Sequence, residues 1–126
     1  MNIFKIGDTD FGIGEFALQI ENGIISNLTI AGNEDVYKQL TADENGCWYS
    51  STLCPPKIYF REIPLNDGKI EITDELLDEY DVALYFNEHN DLYGTLTISD
   101  KLVAVKGEAN LWGTIYPIEV IAEITK

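Results

Sequence analysis

The sequence predicts a mainly β protein, an antiparallel meander curled into a partly closed barrel or sandwich with one or two short helices. Three observations carry that class. Val82, Leu84 and Phe86 alternate with Ala83, Tyr85 and Asn87, and the alternation resumes with Leu92, Gly94, Leu96 and Ile98. Side chains on a strand change face at every residue, so this pattern marks strands with one core face. Turn-forming stretches recur between short apolar runs, at Asn22-Gly23, Asn66-Asp67-Gly68 and Asp100-Lys101. Finally, 126 residues with a 45% hydrophobic fraction and no repeat or linker describe one globular domain, residues 1–126.

Asn2–Ile6 opens the chain as a strand, and Gly7–Gly14 follows as a glycine-rich loop. Asp8-Thr9-Asp10-Phe11-Gly12 suggests a calcium loop, but Gly12 and Ile13 stand where that motif needs a ligand and a glycine. A solvated turn is the simpler reading. A hairpin comes next, with Phe16, Leu18 and Ile20 on one arm and Ile24, Leu28 and Ile30 on the other. Parity favours a three-residue loop, Glu21-Asn22-Gly23, with Gly23 left-handed, over the two-residue Asn22-Gly23 turn. Asn33 then caps a short helix, with Glu34 and Asp35 in its first turn, which ends near Ala42.

Cys47–Leu53 is β-prone, and Pro55-Pro56 interrupts it as an edge or an ordered loop. Lys57–Leu65 is a strand with Ile58 and Phe60 on one face and Tyr59 and Arg61 on the other. Asn66-Asp67-Gly68 turns the chain into Lys69–Thr73. Thr73 caps a single helical turn that runs to Glu79.

The region Tyr80–Ala109 organises the fold. Its even-numbered apolar positions share a face across a hairpin only if the loop holds an odd number of residues. Glu88-His89-Asn90 meets that condition, with Asn90 left-handed and Phe86 paired with Leu92, Leu84 with Gly94, Val82 with Leu96 and Tyr85 with Tyr93. The two-residue turn Asp100-Lys101 then sets Val103 beside Ile98 and Val105 beside Leu96. Asn110–Tyr116 forms the last long connection. Pro117 opens the final strand, with Ile118, Val120, Ala122 and Ile124 inward. The sum is about eight strands.

Chemistry leaves fewer marks than folding. Cys47 and Cys54 with the single His89 cannot close a four-ligand zinc site, so no metal and no cofactor is expected. A disulfide across a hairpin is geometrically possible for Cys47 and Cys54, but two free thiols are the expected state in a reducing cytoplasm, where the absence of a signal-like apolar run places the protein. His89 sits at a hairpin tip, Ser50-Ser51 have no evident activating partner, and Arg61 is the only arginine. No catalytic residue is therefore assigned.

Charge is the functional hint. Twenty-two acidic residues against eight basic ones give −14. That field opposes nucleic acid and anionic membranes and favours a basic partner, although acidity also serves solubility alone. The acids are densest at Asp74, Glu75, Asp78, Glu79 and Asp81, with Glu88 and Asp91 nearby. In size, single-domain character and acidity the whole chain resembles the immunity proteins of bacterial toxin systems, including contact-dependent growth inhibition. The resemblance lies in general character, without a diagnostic motif. It implies a tight complex with a cognate toxin, a nuclease above all, and no enzymatic activity; those seven acids would be the partner-binding residues. Two other classes fit the pattern. One is a small-ligand barrel lined by Trp48, Tyr49, Phe60, Tyr85, Tyr93 and Trp112. The other is an assembly subunit whose exposed strands pair with neighbours.

Overall fold

The computed structural model describes residues 2–41, 55–86, 88–111 and 113–124. The readings made for Cys47, Trp48, Tyr49, Ser50-Ser51, Cys54 and Trp112 lie outside them. Eleven strands and two short helices occupy the described residues. In chain order they are β1 (Ile3–Ile6), β2 (Thr9–Asp10), β3 (Glu15–Glu21), β4 (Ile24–Ala31), α1 (Glu34–Thr41) and β5 (Lys57–Pro64). There follow β6 (Lys69–Ile72), α2 (Asp74–Glu79), β7 (Asp81–Phe86), β8 (Glu88–Asn90), β9 (Leu92–Ile98), β10 (Leu102–Leu111) and β11 (Thr114–Glu123). No described helix is long and apolar enough to cross a membrane.

Two antiparallel sheets face each other across one core. One has the order β2-β1-β11-β10-β9-β6 and the other β3-β4-β5-β7-β8. They form an incompletely closed sandwich of the expected class. The turn at Asp100-Lys101 is as read, with Val103 opposite Ile98 and Val105 opposite Leu96. The hairpin expected between Val82–Phe86 and Leu92–Ile98 does not form. Residues Glu88–Asn90 are no loop but a short strand that folds back on β7, pairing Leu84 with Asn90 and Tyr85 with His89. Asn90 is absent from the left-handed residues, and its Nδ2 donates to the Leu84 carbonyl at 3.4 Å. After Asp91 the chain crosses to the other sheet, where β9 pairs with β10 and β6. Both arms keep their apolar face inward; only their sheet differs.

Two further corrections have similar causes. Asn110–Tyr116 is not a long connection. β10 and β11 pair continuously to Leu111 and Thr114, and Pro117 lies within β11 opposite Glu108. Its own missing N–H does no harm there, while its carbonyl accepts from Gly7 N at 2.8 Å. In the early hairpin Glu21 pairs directly with Ile24 across the two-residue turn Asn22-Gly23, both left-handed at φ 54° and 76°. The parity that argued for three residues is restored by a bulge at Ser26. Phe16 still meets Ile30 and Leu18 meets Leu28, but Ile20 meets Ile25.

That bulge has a counterpart. Ladder pairs Ile25–Ile63 and Asn27–Arg61 flank the Ser26 and Glu62 positions, and Glu62 is left-handed at φ 51°. The buried set in β4 shifts from Leu28 and Ile30 to Ile25, and in β5 from Ile58 and Phe60 to Ile63. Both strands change phase at one level, so their apolar faces stay together.

Asn33 caps α1 as expected, its Oδ1 accepting from Val36 N at 3.1 Å. The helix delivers Tyr37 to the end of the core, where it meets Phe86 at 6.1 Å and Phe11 at 6.3 Å between ring centroids. Phe11 and Phe86 complete the triangle at 5.9 Å, nearly perpendicular.

Gly94 and Gly107 stand opposite each other in β9 and β10. A Cβ on Gly107 would collide with the Tyr93 carbonyl oxygen, so the two backbones touch where any side chain would part them. Gly107→Ala should cost more than ~3 kcal/mol, the upper range for overpacking. Gly23→Ala meets open space and only the left-handed penalty, about 1 kcal/mol. Urea unfolding of the two variants checks the ranking; equal costs would contradict the close approach.

Candidate functional site

The acidic region is built on α2, which leads from β6 in one sheet to β7 in the other. Thr73 starts it in an extended conformation (φ −126°), its Oγ1 accepting from Leu76 N at 3.3 Å. Asp74 and Glu75 occupy the first turn, where the exposed N–H groups favour negative charge. Tyr80 N closes the other end on the Leu76 carbonyl. No basic residue lies in the last turn, and no α2 side chain is buried. Glu75, Asp78 and Glu79 are exposed and without a cation among the described residues.

Asp74 is organised by a residue that sequence reasoning placed elsewhere. Tyr93 faces outward from β9 because Leu92 beside it is fully buried. Its hydroxyl donates to Asp74 Oδ1 at 2.6 Å. The Tyr93 pKa is pushed up to about 12, first by that hydrogen bond, then by burial, then by the negative charge of Asp91. Asp74 and Asp91 therefore converge on one phenol. One step along the same face, Thr95 Oγ1 donates to Glu71 Oε2 at 3.0 Å, and Lys69 Nζ lies 3.2 Å from Glu71. The hydrogen bond from Thr95, followed by Lys69, holds the Glu71 carboxyl below its ordinary range.

The other expected acids divide. Asp81 lies on β7, on the outer face of the five-stranded sheet, 3.4 Å from Arg61 Nη1. Glu88 contributes its backbone to β8; its side chain is outside the described set. Of the seven acids, Asp74 and Asp91 share a centre, Glu75, Asp78 and Glu79 border it on α2, and Asp81 belongs to a second group.

That second group is aromatic. The Arg61 guanidinium sits 4.6 Å from the Tyr59 ring centroid. His89 meets Tyr59 at 6.0 Å and Tyr85 at 5.1 Å, edge to face in both cases. Burial, then the Asp81 charge, raise the Tyr59 pKa. His89 is thus a member of an outer-face ring cluster within a strand and not the tip of a hairpin. Tyr85, expected beside Tyr93, lies on a different sheet from it. The β7–β8 fold-back that brings His89 to Tyr59 and Tyr85 places in a strand the residues Glu88-His89-Asn90 that the sequence offered as a loop.

The calcium-like segment is structural. Asp10 Oδ1 accepts from Phe4 N at 3.1 Å and Gly12 N at 2.9 Å, which ties β2 back to β1. Among the described residues no group of three His, Cys, Asp or Glu side chains is placed to hold a metal ion. A depression of about 280 Å³ lies on the outer face of the six-stranded sheet, lined by Lys5, Gly7, Lys106, Gly107 and Glu119 among others. Lys106 is already 3.3 Å from Glu119 there. No family model, curated protein or solved structure matches the chain.

The Tyr93 arrangement has a direct readout. Its proton is held above the ordinary value of 10.0, so the contact stabilises the fold below that pH and is lost as pH rises toward about 12. In a tyrosinate absorbance titration Tyr93 should ionise latest, with Tyr59 also above the ordinary value, and Asp74→Ala should bring the latest transition down. Tyr93→Phe should remove that transition and leave the one of Tyr59. A transition near pH 12 that survives both changes would contradict the assignment.

Proposed function

We propose that the protein is a non-enzymatic binding protein that docks and neutralises a basic protein partner. In the immunity-protein resemblance that partner is a toxin, with a nuclease as the expected activity. The observation that carries the reading is the convergence of Asp74 and Asp91 on Tyr93, beside an α2 surface whose other acids have no counter-ion among the described residues. A phenol flanked by carboxylates offers a lysine or arginine both an aromatic face and charge-assisted hydrogen bonds. Net charge of −14 extends the attraction beyond contact and favours fast association.

The small-ligand alternative draws little support. Of its proposed lining, Phe60 is packed in the core, while Tyr85 and Tyr93 lie on separate sheets. The strand-pairing alternative is favoured by one observation: among the described residues the outer edge of β3 is unpaired.

The test is binding kinetics against the product of the adjacent gene, where a toxin partner would be encoded. Asp78→Lys with Glu79→Lys should slow association ~tenfold or more at low salt and change dissociation much less. The difference should shrink as the screening length falls to ~8 Å at physiological ionic strength. Folding should be retained or improved, because the substitutions relieve the Asp74/Asp78 and Glu75/Glu79 repulsions. Binding indifferent to salt and to both substitutions would place the partner elsewhere, and no binding would overturn the proposal.

A further inference from the structure

Four strands end the two sheets, and they are unequal. β2 has two residues, β8 three and β6 four, but β3 has seven, and among the described residues it pairs on one side only, with β4. Exposed edges of that length are usually guarded by lysine, proline or a covering segment. Residues Glu15–Glu21 contain no lysine and no proline, and their only irregularity lies in the partner strand, at Ser26. The even positions Phe16, Leu18 and Ile20 point to the core side, level with Ile30, Leu28 and Ile25; Phe16 and Leu18 are only partly buried and Ile20 is exposed. Ile20 and Ile24, at the tip of the same hairpin, are each 41% exposed. Apolar surface and unpaired backbone therefore coincide along one margin.

Charge decides what fits there. On the solvent side of β3 stand Glu15, Ala17, Gln19 and Glu21, acids at both ends of the strand. A second copy pairing antiparallel along the whole edge, centred on Leu18, would set Glu15 against Glu21 twice. Like charges directly opposite are unfavourable in such pairs, and two chains of −14 would repel as well.

We infer that the β3 edge receives an extended segment of a basic partner, which adds as a further antiparallel strand. Its apolar residues lie beside Phe16, Leu18 and Ile20, and lysine or arginine stands opposite Glu15 and Glu21. Backbone hydrogen bonds supply affinity that does not depend on side chains, and the flanking charges select the partner. This surface is separate from α2, and it stands whether or not the Tyr93 centre binds anything.

The probe is a short peptide of alternating valine and threonine with a lysine at each end, compared with the same peptide ending in glutamates. Fluorescence anisotropy measures affinity, and amide hydrogen exchange by NMR locates the contact. The native protein should bind the lysine peptide, with slowed exchange in β3, and should reject the glutamate peptide. Glu15→Lys with Glu21→Lys should reverse the preference, changing each affinity ~tenfold, as expected from two exchanged cross-strand charge pairs. Both positions are exposed, and the native protein's two-peptide comparison does not depend on the variant folding. Protection confined to α2 would show charge attraction without strand addition and would overturn the inference. So would absence of binding, a preference that survives the charge exchange, or concentration-dependent dimerisation with slowed exchange in β3. The Asp78→Lys, Glu79→Lys variant should bind the lysine peptide in β3 as the native protein does; loss there would overturn the separation of the two surfaces.

Discussion

The meeting of Phe11, Tyr37 and Phe86 is the contact on which the rest of the molecule turns. The rings come from three unrelated places, the loop after β2, the helix α1 and the last residue of β7. Each is fully or almost fully buried. Together they close one end of the space between the sheets. Phe11 is also tied by its backbone to Phe4 and to Asn33, which joins the first strand to the cap of α1. With Phe86 anchored, the chain beyond it folds back as β8 and only then crosses to the opposite sheet. The sandwich is organised by where β7 ends.

The acidic chemistry depends on that same crossing. Leu92, buried just after the switch, fixes the inward phase of β9 and thereby turns Tyr93 outward toward Asp74. Asp91, between the two sheets, arrives beside the same phenol. Thr73 contributes by fixing where α2 begins, so that Asp74 falls on its first turn. Carboxylates far apart in the chain gather because a cap, a strand phase and a sheet switch agree. The grouping follows from backbone geometry, with the negative potential as its by-product.

Much of this was legible from residues whose preferences are local. Alternation located every long strand arm, Asn33 and Thr73 declared their caps, and Asp100-Lys101 gave both its turn and its register. What resisted reading was the choice of partner. Val82–Phe86 and Leu92–Ile98 fit one another by parity, and nothing local records that they lie in different sheets. Asn22-Gly23 was chemically plain as a tight turn, yet the bulge at Ser26 disguised it by changing the count. Of the candidate site, the dense acids were visible and their organiser was not. Tyr93 looked like one more outward aromatic, since its partner Asp74 is distant in sequence and meets it only through the fold.

The paired phase change at Ser26 and Glu62 has a consequence for how this fold can drift. The two strands stay in step because both irregularities occur at one level. Removing Ser26 alone would leave Ile25 two places from Leu28 and still inward, but β4 would then have one residue fewer than β5 between the Asn27–Arg61 and Ile25–Ile63 pairs, and the ladder would fall out of step there. Removing Glu62 alone would do the reverse. Lineages that share the architecture should therefore keep both residues or lack both, and an alignment gap opposite Ser26 should coincide with one opposite Glu62.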